Sequence, residues 1–196
     1  GNIELTSVKD SVRILGICKK INKTLTQEQK IVVLVRVFEL VAADKKFSEQ
    51  RMAIINTVAE VFNISTEELK STDTFVVNDN DQELDIQNIL IIDDNDSVFQ
   101  SAKHIRSSEL DKKLILLHIK SVELYFLRYT GKQDVLLNGL PVRSNRIYLF
   151  ANGSAIRFPK GKPVYYSDVA SKFMSDVTSS RISYNVNHVD FCFKNG

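Results

Sequence analysis

The chain has 196 residues, 43% of them hydrophobic and 26% charged, and a net charge of +2. That composition belongs to a globular protein of one large domain or two small ones, and excludes a wholly disordered or collagen-like chain. The longest unbroken apolar run is the five residues Ile31 to Val35, whereas a membrane-spanning helix needs about 20, so direct membrane insertion is not expected. No basic, apolar, small-residue leader is visible. Two cysteines, Cys18 and Cys192, are too few for a disulfide scaffold or a zinc ribbon and fit a reducing, cytoplasmic setting. The chain opens on Gly1, its first methionine is Met52, and it stops at Gly196 directly after an apolar stretch. We read it as a piece of a longer protein.

The charge is unevenly spread. Residues 76–100 contain no Lys or Arg but seven carboxylates: Asp79, Asp81, Glu83, Asp85, Asp93, Asp94 and Asp96. The spacing is not that of an EF-hand, because no Gly stands at the sixth position of any Asp-led run in this block. The expectation is a solvated acidic connection running into the first β elements. Residues 101–196 are net basic, but their cations are scattered and lack interleaved stacking aromatics, so nucleic acid is not expected as a partner.

The N-terminal part reads as helical. Val8, Val12, Leu15 and Cys18 form one stripe, with Ile14, Ile17 and Ile21 beside it, at the 3.6-residue period. Thr26 with Gln29 forms a capping box that opens a second helix through Ile31–Val41. That helix is apolar around most of its circumference and should be the most buried. Ser48 suits the N-cap of a third helix with Met52, Ile55, Val58, Ala59 and Phe62 on one face. Asn63 suits its end, and Ser65 with Glu68 caps a fourth. Four helices with short connections make a small bundle.

The stretch Leu40-Val41-Ala42-Ala43-Asp44-Lys45-Lys46-Phe47-Ser48, followed by a helix and Phe62-Asn63-Ile64-Ser65, resembles the TerB-like (tellurite-resistance) helical domain over about residues 5–75. The resemblance implies metal ligands near the turn between the second and third helices, and makes Asp44 the candidate. Lys45 and Lys46 flank it, so the expected role of Asp44 is to satisfy backbone donors in the turn. No metal is expected to stabilise this module.

The second part reads as β. Leu114–Ile119 and Ser121–Tyr129 are strand-like up to Gly131, and Asn138-Gly139 between apolar runs is a hairpin signal. Ile147–Phe150 is another strand, Asn152-Gly153 another turn, and Ala155–Phe158 a further strand. Short strands separated by turns imply a sandwich or barrel. Leu137-Asn138-Gly139-Leu140-Pro141-Val142 and Gly153-Ser154-Ala155-Ile156 resemble two signature turns of the forkhead-associated (FHA) fold, with Ser154 in place of an Asp, over about residues 86–162. The resemblance raises phosphopeptide binding, for which Arg106, Ser107, Ser108, Arg143, Ser144 and Arg146 are the candidates. The family's Ser-x-x-His arrangement is missing, so discrimination of phosphothreonine is not expected. His118 and the pair Tyr165 and Tyr166 are read as packing residues.

Lys162–Val169, with a short helix through Phe173, resembles the stretch that follows the FHA-like part in one kind of bacterial ABC transporter ATP-binding protein. Ile182-Ser-Tyr-Asn-Val-Asn-His-Val-Asp-Phe-Cys-Phe resembles the opening strand of an ABC ATPase domain. A change of face across Asn187-His188 implies a bulge in that strand. The implied organisation is a TerB-like bundle at 1–75, an acidic connection at 76–100, an FHA-like module with a short helix at 101–180, and a truncated ATPase strand at 181–196. This is an α+β fold: a small N-terminal helical bundle plus a C-terminal β-sandwich.

The sequence has no G-x-x-x-x-G-K-[ST], G-x-S-x-G, H-E-x-x-H or C-x-x-C. His188 and Cys192, four residues apart on a strand, would lie about 13 Å apart and form no dyad. The chain is therefore expected to be non-catalytic, with no cofactor of its own. The resemblance implies a regulatory or interaction region of an ABC transporter ATP-binding protein at the cytoplasmic face of the membrane. ATP and Mg would serve the parent, whose ATPase and membrane domains are the expected partners. A homodimer is left open, and the alternative is a stand-alone phosphopeptide or stress-response binding module.

Overall fold

The structure, a computed structural model, describes residues 8–42 and 48–183. Five helices lead: α1 (Val8–Asn22), α2 (Gln27–Ala42), α3 (Ser48–Val61), α4 (Thr66–Val77) and a single turn, α5 (Asp81–Leu84). The strands follow as β1 (Ile89–Asp93), β2 (Lys103–Arg106), β3 (Leu114–Ile119), β4 (Leu124–Tyr129), β5 (Leu136–Leu137), β6 (Leu140–Pro141), β7 (Ile147–Leu149), β8 (Ala155–Arg157) and β9 (Val164–Tyr165). Helix α6 (Tyr166–Ser183) closes the described chain.

The helix boundaries have local causes. Before α2, the Thr26 N–H donates to Gln29 Oε1 at 3.0 Å and the Gln29 N–H donates to Thr26 Oγ1 at 3.3 Å, a reciprocal capping box. Ser65 Oγ accepts the Glu68 N–H at 3.2 Å and opens α4. After α3, Asn63 takes a φ of 53°, and the Ile64 N–H closes back on the Ala59 carbonyl at 2.9 Å. Asn is among the few non-glycine residues that tolerate that left-handed conformation.

The strands form two sheets, of order β2-β1-β3-β4-β7 and β6-β5-β8-β9. In the larger one β1 and β2 are parallel and the remaining pairs antiparallel. This sheet is a middle layer. On one face Leu90, Ile92, Leu114, Leu116, Leu127 and Tyr129 pack against the smaller sheet and α6. On the other, Ile89, Ile91, Ile115, Leu117 and Phe126 share a core with Ile31 and Val35 of α2 and Phe75 of α4. A third cluster, including Leu34, Phe38, Ile55, Val58 and Phe62, holds the helices to one another. Burial on both faces explains why β1 and β3 read as continuous apolar runs.

Residues 76–100 are not the solvated connection the charge pattern implies. They contain β1, which is buried at all five positions, and several of their carboxylates bind backbone or cations. Asp85 receives the N–H groups of Gln100, Ser101 and Ala102 at 3.0, 2.8 and 2.9 Å. Those bonds, led by that of Ala102, hold its carboxyl below the usual aspartate range. Asp93, only 3% exposed, accepts from the Asn95 N–H and faces His104 Nε2 at 2.7 Å.

A further difference comes from a turn. The continuous signal over 114–129 is a hairpin, turned at Lys120–Glu123 with Glu123 at a φ of 51°. Gly131 sits where a Cβ would overlap the Asp111 carboxylate and the Tyr129 phenol. The Tyr129 hydroxyl donates to Asp111 there, and its oxygen accepts the Gln133 N–H at 3.3 Å. Burial alone would raise the Asp111 carboxyl, but the bonds from Lys132 N–H and Tyr129 outweigh it and bring it below the ordinary value.

Asn138-Gly139 does form the β5–β6 hairpin, with φ angles of 52° and 81°. Asn138 also ties that turn to the next. Its Nδ2 donates to Ser154 Oγ at 3.1 Å and its Oδ1 accepts the Ala155 N–H at 3.0 Å.

The C-terminal helix is longer than expected. Instead of a short helix ending at Phe173 and a strand opening at Ile182, α6 runs from Tyr166 to Ser183 and takes in Ile182. Asp168 Oδ2 accepts the Tyr165 N–H at 2.8 Å at its start, and Val169 and Phe173, one turn apart, dock on the sheet. The rest of the expected ATPase strand, with its bulge at Asn187-His188, lies outside the described residues. No helix among the described residues is long and apolar enough to cross a membrane.

Candidate functional site

Helix α4 ends without a basic residue in its last turn, so its orphan carbonyls need donors from elsewhere. The sheet supplies them. Arg128 on β4 points away from the smaller sheet and is 4% exposed. Its Nε donates to the Phe75 carbonyl at 3.0 Å and its Nη2 to the Asn78 carbonyl at 2.6 Å. Nη1 reaches Asp79 Oδ1 at 2.7 Å and Asn145 Oδ1 at 3.1 Å. The guanidinium carbon lies 5.9 Å from the Phe75 ring centre. One side chain thus fastens the end of α4, the acidic segment and the β6–β7 turn to the sheet. Nearby, Lys113 pairs with Asp81 and donates to the Asp79 carbonyl at 2.7 Å. These contacts make the joint between helices and sheet a built polar rim around an apolar core.

The six phosphopeptide candidates fall into two groups. Arg106 ends β2, and Ser107 and Ser108 follow it. Arg143, Ser144 and Arg146 are exposed in the turn before β7. Both groups stand at the same end of the larger sheet, but β2 and β7 are its opposite edges. Four strand spacings put their anchor points about 19 Å apart, too far to close on one phosphate. Arg106 pairs with Asp94 at 3.5 Å and Asp96 at 2.7 Å. Ser107 is buried, with its N–H on the Asp93 carbonyl at 2.8 Å. Its hydroxyl is buried without a hydrogen-bond partner, beneath the groove that the residue helps to line.

The structure instead places Arg106 and Ser108 beside Lys162, Lys172 and Asp168 along a groove of about 780 Å³ against α6. Nothing in sequence spacing marked Lys162 or Lys172. Asp44 lies outside the described residues. Among the described residues there is no group of three or more His, Cys, Asp or Glu side chains that could hold a metal ion.

A larger cleft, about 950 Å³, opens where the start of α4, the β3–β4 turn and α6 meet, with Glu68, Lys103, His118, Glu123, Tyr125 and Phe173 along it. His118 is a packing residue in part. Its ring stacks on Tyr125 at 4.6 Å and meets Phe173 at 4.8 Å, while Nε2 faces Glu123 Oε2 at 3.1 Å. Tyr166 meets Tyr125 edge-on at 5.3 Å, whereas Tyr165 is 47% exposed.

Burial, with added repulsion from Tyr166 and Glu123, pushes the Tyr125 phenol up to about 12. A phenol in an unfolded chain titrates near about 10. The folded state therefore keeps this proton where the unfolded state has lost it. The resulting stabilisation is complete below pH about 10 and disappears as pH rises through the folded value. Tyr125→Phe keeps the ring stack and removes the titration. We expect it to match the wild type in chemical denaturation at pH 7 and to become the more stable of the two as pH rises from 10 to 12. Parallel curves over that interval would contradict the assignment.

Residues 6–74 match the family model described as tellurite resistance protein TerB. The match spans α1 to α4, about a third of the chain. The N-terminal unit is thus a helical TerB domain, followed by a β-sheet region in a mixed α+β chain. No curated protein matches the chain, and no solved structure does.

Proposed function

We propose that this chain is a non-catalytic interaction and regulatory region in which a TerB-type bundle reports to a β-sandwich as one body. The observation that carries the reading is the shared core. Ile31, Val35 and Phe75 of the helices are buried against Ile89, Ile115, Leu117 and Phe126 of the sheet, with the Arg128 guanidinium across the same boundary. A helix displaced in the bundle therefore has to move against the sheet.

The two-sheet arrangement, with its Asn138-Gly139 hairpin bonded to the turn at Ser154, supports an FHA-like assignment of the sandwich. The parent we propose is an ABC-type ATP-binding protein, supported by the resemblance in residues 182–193. In such a parent ATP and Mg belong to the ATPase domain, and this region acts on that domain and its membrane partner.

The coding sequence downstream of Gly196 tests the parent. A G-x-x-x-x-G-K-[ST] motif within a few tens of codons is the expected result, and a stop codon or an unrelated domain would refute it. For the region itself, calorimetry with ATP should give no binding, because the sequence lacks the backbone cradle and lysine of a phosphate loop. A peptide array should show no preference for phosphothreonine over threonine, since the six candidate residues stand at opposite edges of the sheet. Micromolar ATP affinity, or strong phosphopeptide binding lost in Arg106→Ala or Arg143→Ala, would overturn the corresponding part.

A further inference from the structure

Strand β7 is an outer edge of the larger sheet, and its residues alternate between pairing with β4 and facing outward. The neighbouring Phe150 N–H bonds inward to the Tyr125 carbonyl at 2.8 Å. Ile147, of opposite parity, faces outward with both backbone groups. Its N–H donates to Glu39 Oε2 at 2.8 Å, and its carbonyl accepts from Arg36 Nη1 at 2.9 Å. Two side chains of α2, bonded to each other at 3.1 Å, thus supply the acceptor and the donor that a sixth strand would have supplied.

The cover ends there. Leu149, the next outward-facing position, is 41% exposed, and the same alternation turns its backbone groups away from β4. Leu40, one turn beyond Arg36 on α2, is 70% exposed. An open edge with exposed apolar side chains is a template for strand pairing.

We propose that Arg36 and Glu39 form a latch that closes β7 against strand pairing, and that releasing it opens an interaction surface for β7 of a second copy. The edge is self-complementary. A two-fold axis pairs β7 with itself antiparallel and meets the same patch on both sides. It also brings Arg36 of one copy toward Glu39 of the other, a charge complementarity that adds to the backbone pairing without being required for it. The helical module, through α2, then sets whether the sheet edge is available. This rests on the bundle and sheet acting as one body.

Sedimentation of the protein at rising concentration tests it. The wild type should stay monomeric. The Arg36→Ala/Glu39→Ala double variant should associate as concentration rises, and adding Leu149→Lys, a charge on the edge, should reverse that association. A folded double variant that stays monomeric throughout overturns the proposal, as does a wild type that associates equally well. If the double variant does not fold, hydrogen exchange in Glu39→Ala decides. Loss of a charge-assisted bond should speed exchange at Ile147 by about ten- to a hundredfold and leave Tyr148 unchanged, and an unchanged Ile147 overturns the latch. Failure here with an equal loss of stability in both layers on core substitution would refute the latch and leave the one-body reading standing.

Discussion

Replacing Arg128 with methionine should cost about 2–4 kcal/mol, because it leaves backbone carbonyls at the end of α4 without their donors. Methionine fills much of the volume and keeps the apolar stem, so the loss isolates the guanidinium. Its removal leaves the Phe75 and Asn78 carbonyls at the end of α4 without their donors, and a buried polar group without a partner costs about 1–3 kcal/mol. It also frees Asp79 and Asn145, but Asp79 is largely exposed and adds little. Hydrogen exchange should show the largest local change in the last turn of α4 and in the segment through Asp81. Denaturation giving a loss under about 1 kcal/mol would mean that water replaces the guanidinium at no net cost, and that the clasp is ornamental. Arg128→Lys should recover only part of the loss, because an ammonium does not span carbonyls and carboxylate in one plane.

Much of the helical half was legible in the sequence because its signals are local. Thr26 with Gln29, Ser65 with Glu68, and Asn63 act within a few residues of themselves. Thr26 and Gln29 form the full reciprocal box, Asn63 ends α3, and Ser65 caps α4 while the Glu68 carboxylate turns instead to the Ser121 N–H. Asn138-Gly139 is legible for the same reason. The acidic segment is legible only in part: Asp79, Glu83 and Asp96 are exposed, as seven carboxylates without a cation imply, but the burial of β1 and Asp93 is not legible. Six of the seven carboxylates have partners: Asp85 the backbone at 100–102, Asp93 His104, Asp81 Lys113, Asp79 Arg128, and Asp94 and Asp96 Arg106, groups remote in sequence or main-chain donors that carry no sequence mark. β1 is short and apolar on both faces, so period-two alternation, the signal that marks a half-buried strand, is absent from it.

The candidate site was legible only in pieces. Arg106 and Arg143 are visible as cations near serines, but only sheet order shows that they stand on opposite edges. In the sequence Arg128 is one charge among the apolar residues of a strand-like stretch. That it points to the helices follows from Tyr129 and Leu127 facing the smaller sheet, which requires knowing that both faces are covered. Arg36 and Glu39 stand three residues apart on one helix, and nothing in their spacing reveals that a strand edge 108 residues downstream of Glu39 lies beneath them.

Phe75→Ala is the sharper probe of whether helices and sheet form one cooperative unit. The ring is fully buried in the core that α2 and α4 share with β1, β3 and β4, and truncating a buried Phe costs about 3–5 kcal/mol. For a chain of this length that corresponds to a fall in Tm of about 6–20 °C. The distribution of the loss is more informative than its size. With a common core, the slowest-exchanging amides of α3, at Ile55 and Val58, and those of β3 and β4, at Leu116 and Leu127, report the same global opening. Both sets should therefore lose equal protection, although neither α3 residue belongs to the cluster that contains Phe75. If the helical module were only tethered to the sandwich, the two sets would differ in the wild type and diverge further in the variant. A melt that splits into two transitions in Phe75→Ala, with α3 protected after the sheet has opened or the reverse, would show that the modules fold separately. In that case displacement of the bundle could not be felt at the β7 edge.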